Sequence, residues 1–215
     1  MSIWSMWKEN AGTLMILILI SAALMTINVN AWIIIGILAL AFGIWMNWQR
    51  GRAMGHEACS VKDTVERASD PASGMHGQLD AKYMAQAYSV PKALKGVAVC
   101  AAIPFALSVI YILCMLFTKN ETAQLITRIL AWVPALPFWP LVAHWFEQYD
   151  SLAPALVAVF LISPFVLPLS FFAGYLQGPK LWEHTEKAMK EGRRRAKAKS
   201  RVVRKPAKKP RGPEI

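Results

Sequence analysis

Four long runs without a charged residue decide what this chain can become: residues 11–29, 31–48, 96–117 and 152–176. Each is close to the roughly 20 residues that a helix needs to span the hydrocarbon of a bilayer. The 215 residues are 55% hydrophobic and only 17% charged, and the excess over an average soluble domain is concentrated in these blocks. The pattern implies an all-α, polytopic integral membrane protein.

Only Asn30 separates the first two blocks, which suits a hairpin turning at Asn28-Val29-Asn30. Trp4, Trp7, Trp45 and Trp48 are then expected at one interface and Trp32 at the other, where amphipathic rings prefer to lie. A secretory signal is the competing reading of the first block, with residues 14–20 as its apolar region and Ser21-Ala22-Ala23 as a small-residue cleavage site. Lys8 beside Glu9 is a poor basic lead for a signal, and the nearness of the second block favours the hairpin.

Charge sets the sidedness. Residues 49–95 carry seven Lys and Arg, and residues 180–215 carry fourteen of the chain's twenty-four, so both segments are expected in the cytoplasm. Two cytoplasmic segments need an even number of crossings between them, and the third and fourth blocks supply two. The intervening stretch, residues 124–149, is therefore expected not to cross. It holds Arg128 near its start, His144 and Glu147 near its end, and Pro134, Pro137 and Pro140, each of which removes a backbone donor and clashes with the preceding turn. Its uncharged centre, residues 129–143, is about 15 residues, a length typical of re-entrant segments. Two short helical arms bent at the prolines are predicted. A fifth full crossing, with the basic tail outside, is the alternative, since hydropathy alone allows a kinked span; the fold class is thus four to five transmembrane helices with a proline-broken, re-entrant segment.

The organisation expected is a transmembrane hairpin over residues 1–48, a cytoplasmic loop over 49–95, further transmembrane helices over 96–177 and a basic cytoplasmic helix with its tail over 178–215. Within the loop, Ala58, Val61, Val65 and Ala68, and then Leu79, Tyr83, Ala87 and Val90, recur at helical spacing around a break at residues 69–74. This predicts a small helical hairpin, whose facing residues are too small for an independent core. The last apolar run should be a proline-kinked helix ending near Tyr175, with Gly178-Pro179 separating it from the basic segment. Beyond the break, Glu183 with Lys187, Glu186 with Lys190 and Glu191 with Arg195 stand i, i+4 in the favourable order and predict a helix. Past Arg201, Pro206, Pro210 and Pro213 predict disorder.

Among chemistry-bearing groups the basic tail stands out. Arg193, Arg194, Arg195, Lys197, Lys199, Arg201, Arg204, Lys205, Lys208, Lys209 and Arg211 are eleven cations with no acid between them. Beside a membrane helix such a cluster attracts anionic lipid, at about 1 kcal/mol per basic residue near the surface. RNA phosphates or a ribosome would be attracted through counterion release, but no aromatic lies between these cations to stack on bases. A tail that only sets topology is the plainer account. Arg128, Pro134, Pro137, Pro140, His144 and Glu147 form a second set, a pathway or hinge, since broken helices line substrate sites in transporters; interfacial anchoring is the plainer role for its three polar members.

His56, Cys59 and His76 fall short of the four ligands of a structural zinc site. Cys59, Cys100 and Cys114 make no disulfide framework. There is no Walker loop, nucleophile elbow, zincin pair or dinucleotide fingerprint, so no catalytic residue, metal or cofactor is assigned. The expected function is that of a non-enzymatic multi-pass protein of the cell membrane, a scaffold or accessory subunit whose cytoplasmic tail contacts anionic lipid, a protein partner or a second copy. A transporter or channel subunit is the alternative; a membrane enzyme using His144, Glu147 and Asp150, or an insertase-like factor, is less favoured. In architecture a cytoplasmic helical hairpin, further spans and a basic tail resemble the membrane protein insertases of bacteria and mitochondria. The bacterial members usually carry a basic residue in a membrane groove, and no span here has one in its interior, so no residue role is carried over.

Overall fold

The computed structural model describes residues 3–26, 29–69, 84–141 and 154–203. Its helices, in chain order, are α1 (Ile3–Met25), α2 (Val29–Ser69), α3 (Val90–Phe117), α4 (Glu121–Ala135), α5 (Pro154–Tyr175) and α6 (Gly178–Val203), with a 3-10 helix at Leu136–Leu141 directly after α4. No strand occurs among the described residues. Four of the helices, α1, α2, α3 and α5, are long and apolar enough to cross a membrane.

Local chemistry explains several helix ends. Asn120 caps α4, its side chain accepting from the backbone N–H groups of Thr122 at 3.0 Å and Ala123 at 3.3 Å, and Glu121 adds an acid to the first turn, where the helix dipole favours negative charge. Ser89 precedes α3 in an extended conformation, with Pro91 just inside the helix, the position where a missing N–H costs least. Between α5 and α6 the chain turns at Leu176 and Gln177, so the break falls just ahead of Gly178-Pro179 and Pro179 lies in the first turn of α6.

Packing is organised in layers along the bundle. At one end Ala58, Ala93 and Tyr175 cluster with Tyr88 and Phe172. Next come Met6, Val97, Cys100 and Phe171, then Leu17, Leu40, Phe138 and Leu167. The far end gathers Trp32, Tyr111, Ala131, Ala135, Trp139, Leu156 and Phe160. Large apolar side chains such as Leu19 and Leu38 point outward, 67% and 63% exposed, as expected of a bundle whose surroundings are hydrocarbon.

The layers also fix how the chain runs. Tyr111, near the end of α3, and Phe160, near the start of α5, have ring centroids 5.1 Å apart. Tyr175 at the end of α5 and Ala93 at the start of α3 share the opposite layer. Thus α4 and the 3-10 helix begin at the end of the bundle where α5 also begins. Pro134 falls in the last turn of α4, and Pro137 and Pro140 fall in the 3-10 helix. The second predicted arm falls within residues 142–153, outside the described residues.

One boundary differs from expectation. A span ending at residue 48 and a loop beginning at 49 were expected, but α2 runs unbroken for 41 residues. The positions 58, 61, 65 and 68 thus belong to an extension of the second span. What packs along that extension is α6: His56 Nε2 lies 3.2 Å from Thr185 Oγ1, its ring meets Trp182 edge-on at 5.3 Å, and Arg67 pairs with Glu186 at 3.4 Å. From the expected second half of the hairpin, Tyr88 joins this contact, its N–H donating to the Ala58 carbonyl at 3.0 Å. Leu79 and Tyr83 lie outside the described residues.

Candidate functional site

Asn47 is the one strongly polar residue inside the second apolar run, and it is fully buried, 0% exposed. Its amide nitrogen donates to Asn10 Oδ1 at 2.7 Å and to the Leu167 carbonyl at 2.6 Å, tying α2 to both α1 and α5. Asn10 in turn donates to the Met6 carbonyl at 2.9 Å. The Thr13 hydroxyl lies 3.0 Å from the Glu9 carbonyl and 3.3 Å from Asn47 Oδ1. With a single proton it serves one of these at a time. Arg50 closes the cluster, its Nη1 donating to Thr13 Oγ1 at 2.8 Å and lying 3.3 Å from the Glu9 carboxylate. Interhelical hydrogen bonds in membranes average about 0.6 kcal/mol and reach about 1.7, so the cluster both joins three helices and fixes their register.

The α2–α5 contact is of another kind. Gly51 and Gly55 on α2 form one small-xxx-small pair, and Gly174 with Gly178 forms a second across the α5–α6 turn. A Cβ on Gly51 would run into the Phe171 carbonyl oxygen, and one on Gly174 into that of Trp48. Backbone meets backbone here, with no side chain between, the packing that glycine pairs permit in membranes.

Next to the polar cluster, α1, α3, α4 and α5 enclose a recess of about 160 Å³. Asn10, Cys100 and Ser163 reach its wall together with Pro104, Pro134, Pro164 and Pro168. A proline inside a helix supplies no N–H to the carbonyl four residues earlier. Pro104 and Pro168 therefore deprive the Cys100 and Pro164 carbonyls of their helical donors, both on residues lining the recess.

The basic tail, where described, is helical. Arg193, Arg194, Arg195 and Lys197 are all exposed on α6. Two of the three expected ion pairs form, Lys190 with Glu186 at 2.7 Å and Arg195 with Glu191 at 3.7 Å. The hydrogen bond from Lys190 lowers the Glu186 carboxyl below its ordinary value; desolvation opposes it, and the charges of Lys190 and Arg67 add to the lowering. Lys199 and Arg201 continue the helix, their side chains lying outside the described residues, as do Arg204, Lys205, Lys208, Lys209 and Arg211 altogether. Because α6 runs beside α2 from Gly55 to Arg67, Arg193 stands well beyond the apolar run. Gly178 meets Gly55 backbone to backbone; the rise from Trp48 to Gly55 is about 10 Å, and Gly178 to Arg193 adds about 22 Å.

The second predicted set is split. Arg128 stacks its guanidinium over Trp132 at 4.0 Å, Pro134 lines the recess, and Pro137 and Pro140 are buried, with Pro140 Cγ only 2.6 Å from where a Gly36 Cβ would stand. Pro140 thus packs against α2 at Gly36. His144 and Glu147 lie outside them. His56 and Cys59 do not meet a third ligand, and no cluster of three His, Cys, Asp or Glu occurs among the described residues; His76 lies outside them. All three cysteines are free.

Sequence reasoning missed Asn10, Thr13, Asn47 and Arg50. The signal was present: a lone Asn in an apolar run marks a polar contact between helices. Arg50 was counted only as a loop charge, whereas α2 carries it and it turns back toward Thr13. No family model, curated protein or solved structure matches the chain.

Proposed function

We propose that the protein is a four-crossing, non-enzymatic membrane scaffold that holds a basic helix clear of its own bilayer for a polyanionic partner in the cytoplasm. The observation that carries this reading is the parallel course of α2 and α6, pinned at its far end by the Arg67–Glu186 pair. An arm of this kind places Arg193, Arg194, Arg195 and Lys197 roughly 33 Å or more from the end of the apolar run. Surface potentials decay over about 8 Å at physiological ionic strength, so the lipid of the same membrane is a poor partner for these four cations. A phosphate backbone or an acidic surface in solution is the better one.

In this reading α1, α2, α3 and α5 cross, and α4 with its 3-10 helix enters and leaves on the external side as a re-entrant segment. Two observations support it: α3 ends and α5 begins in one layer, and Lys and Arg concentrate in residues 49–95 and 180–215. Both basic segments then lie in the cytoplasm. Ser151→Cys and Ser200→Cys, labelled from outside intact cells, test the sidedness: position 151 should label and position 200 should be protected. Labelling at 200 would overturn the arrangement.

The partner is tested with the full chain in neutral-lipid nanodiscs, titrated with an RNA oligomer across a salt series. Counterion release contributes about 0.7 to the log–log salt slope per neutralised phosphate of a single strand. Replacing Arg193, Arg194, Arg195 and Lys197 by Gln should therefore lower the slope by about 3 and weaken binding at low salt. If the quadruple variant binds RNA like the wild type but leaves anionic vesicles, lipid is the partner and the scaffold reading fails.

A further inference from the structure

A second groove lies on the outer surface, where α1 and α2 diverge above the polar cluster. Ile16 and Ile20 form one wall, Phe42 and Met46 the other, and Gly43 lies between them, enclosing about 140 Å³. Leu17 packs against Gly43, where a Cβ would stand 2.7 Å from Leu17 Cδ1, and lines the groove with it. The groove is narrow and apolar over most of its length, but Thr13 and Arg50 line it as well.

Arg50 makes the groove more than a gap between helices. All of its hydrogen bonds and its ion pair within the described residues use Nη1. Its Nε–H and Nη2–H edge, the edge of a guanidinium that grips an oxyanion with two parallel bonds, has no partner among the described residues. The side chain as a whole is 35% exposed. Nearby charge also favours an anion: Lys8 lies over Trp4 at 5.5 Å and Arg52 over Trp48 at 5.6 Å. With Glu9 as the single acid among Lys8, Glu9, Arg50 and Arg52, this end of α1 and α2 carries a formal charge of +2. The tryptophans Trp4, Trp7, Trp45 and Trp48 share this end, at the level where such rings meet lipid headgroups.

We infer that the α1–α2 groove binds one anionic phospholipid, with a phosphate oxygen pair on the Nε–Nη2 edge of Arg50 and an acyl chain along Ile16, Ile20 and Phe42. The inference needs only that α1 and α2 cross a membrane and is independent of the partner assigned to α6. Glu9 and Thr13 hold Arg50 from its Nη1 side, so the guanidinium is oriented before lipid arrives, which lowers the cost of ordering it on binding.

Native mass spectrometry of the full chain released from detergent tests this, with phosphatidylglycerol, phosphatidylcholine or inorganic phosphate added. The wild type should retain one phosphatidylglycerol about tenfold more tightly than phosphatidylcholine, and phosphate alone should not compete. Arg50→Gln should erase the preference for phosphatidylglycerol. Ala39→Phe, which fills the apolar end and leaves the cation untouched, should weaken both lipids alike; it keeps the test decisive if Arg50→Gln fails to fold. Equal retention of the two lipids by the wild type, full phosphatidylglycerol binding by either folded variant, or displacement by inorganic phosphate would each overturn the site.

Discussion

The two contacts of α2 solve one problem by opposite means. Toward α5 it presents Gly51 and Gly55, and the helices touch through their backbones. Toward α1 it presents Asn47 and Arg50, and the helices touch through polar side chains. Lipid tails are as apolar as leucine, so burying apolar area gives little drive for helices to associate in a bilayer. Close backbone packing and buried hydrogen bonds remain; α2 uses the first toward α5 and the second mainly toward α1, with Asn47 also reaching the Leu167 carbonyl of α5. The difference lies in tolerance: a hydrogen bond lost leaves the helices in place with unsatisfied groups, whereas a side chain added at a backbone contact forces them apart.

The largest effect should therefore come from the glycine side. Gly51→Leu puts a branched side chain where the Phe171 carbonyl stands, and overpacking of this kind costs roughly 3 kcal/mol or more where backbone cannot yield. Unfolding in mixed micelles should show the loss, along with detachment of α6 read as protease access at residues 178–190; a variant as stable as the wild type would break the comparison. On the polar side, Asn47→Ala strands Asn10 Oδ1, while the Leu167 carbonyl keeps the Ser170 hydroxyl as a donor, and should cost about 1–3 kcal/mol. A double-mutant cycle with Asn10→Ala should return a coupling of about 0.5–1.7 kcal/mol. Strict additivity would show that the pair does not interact.

A glycine without a contact sharpens the argument. Nothing lies within 4 Å of a Cβ built on Gly12, so Gly12→Ala should stabilise α1 by up to about 1 kcal/mol through helix propensity alone. Destabilisation there would mean that glycine matters for a reason other than space. The smallest effect belongs to the charged far end of α2. The Glu186 carboxyl is held below its ordinary value chiefly by Lys190 on its own helix, with Arg67 across the contact adding a smaller part, so only the Arg67 share supports docking, present above the ordinary value and lost as pH falls through the lowered one. Docking of α6, followed by the fluorescence of Trp182 against His56, should weaken slightly in acid and not in mild base, and Glu186→Gln should flatten the profile.

How much of this could be read from residues alone depends on the physics of each part. The four spans were legible because a charge-free run of that length has few alternatives, and the end of α5 at Tyr175 matches the turn before Gly178-Pro179. Pro137 and Pro140 fall in the 3-10 helix that follows α4. The helix continues past residue 48 because polarity and helicity are separate signals: Gln49, Arg50 and Arg52 mark where the run stops being apolar, but all three continue a helix readily. The glycine pairs went unread because small-residue spacing means something only once a partner helix is known, and the partner lies more than 100 residues away. Arg50 was overlooked as part of a site because a count of loop charges says nothing about where a side chain turns.

The unbroken course of α2 through residue 48 makes it a phase-locked shaft. Each residue advances a helix by about 100° and 1.5 Å, so the faces that meet Asn10, Phe171 and Glu186 are fixed relative to one another by residue count. A single residue inserted between Trp48 and Gly51 would leave the apolar span intact and turn the whole arm through more than a quarter circle, swinging Gly55 away from Gly178 and Arg67 away from Glu186. A rotation of α2 within the bilayer would turn the arm beyond it in the same sense, since one helix carries both.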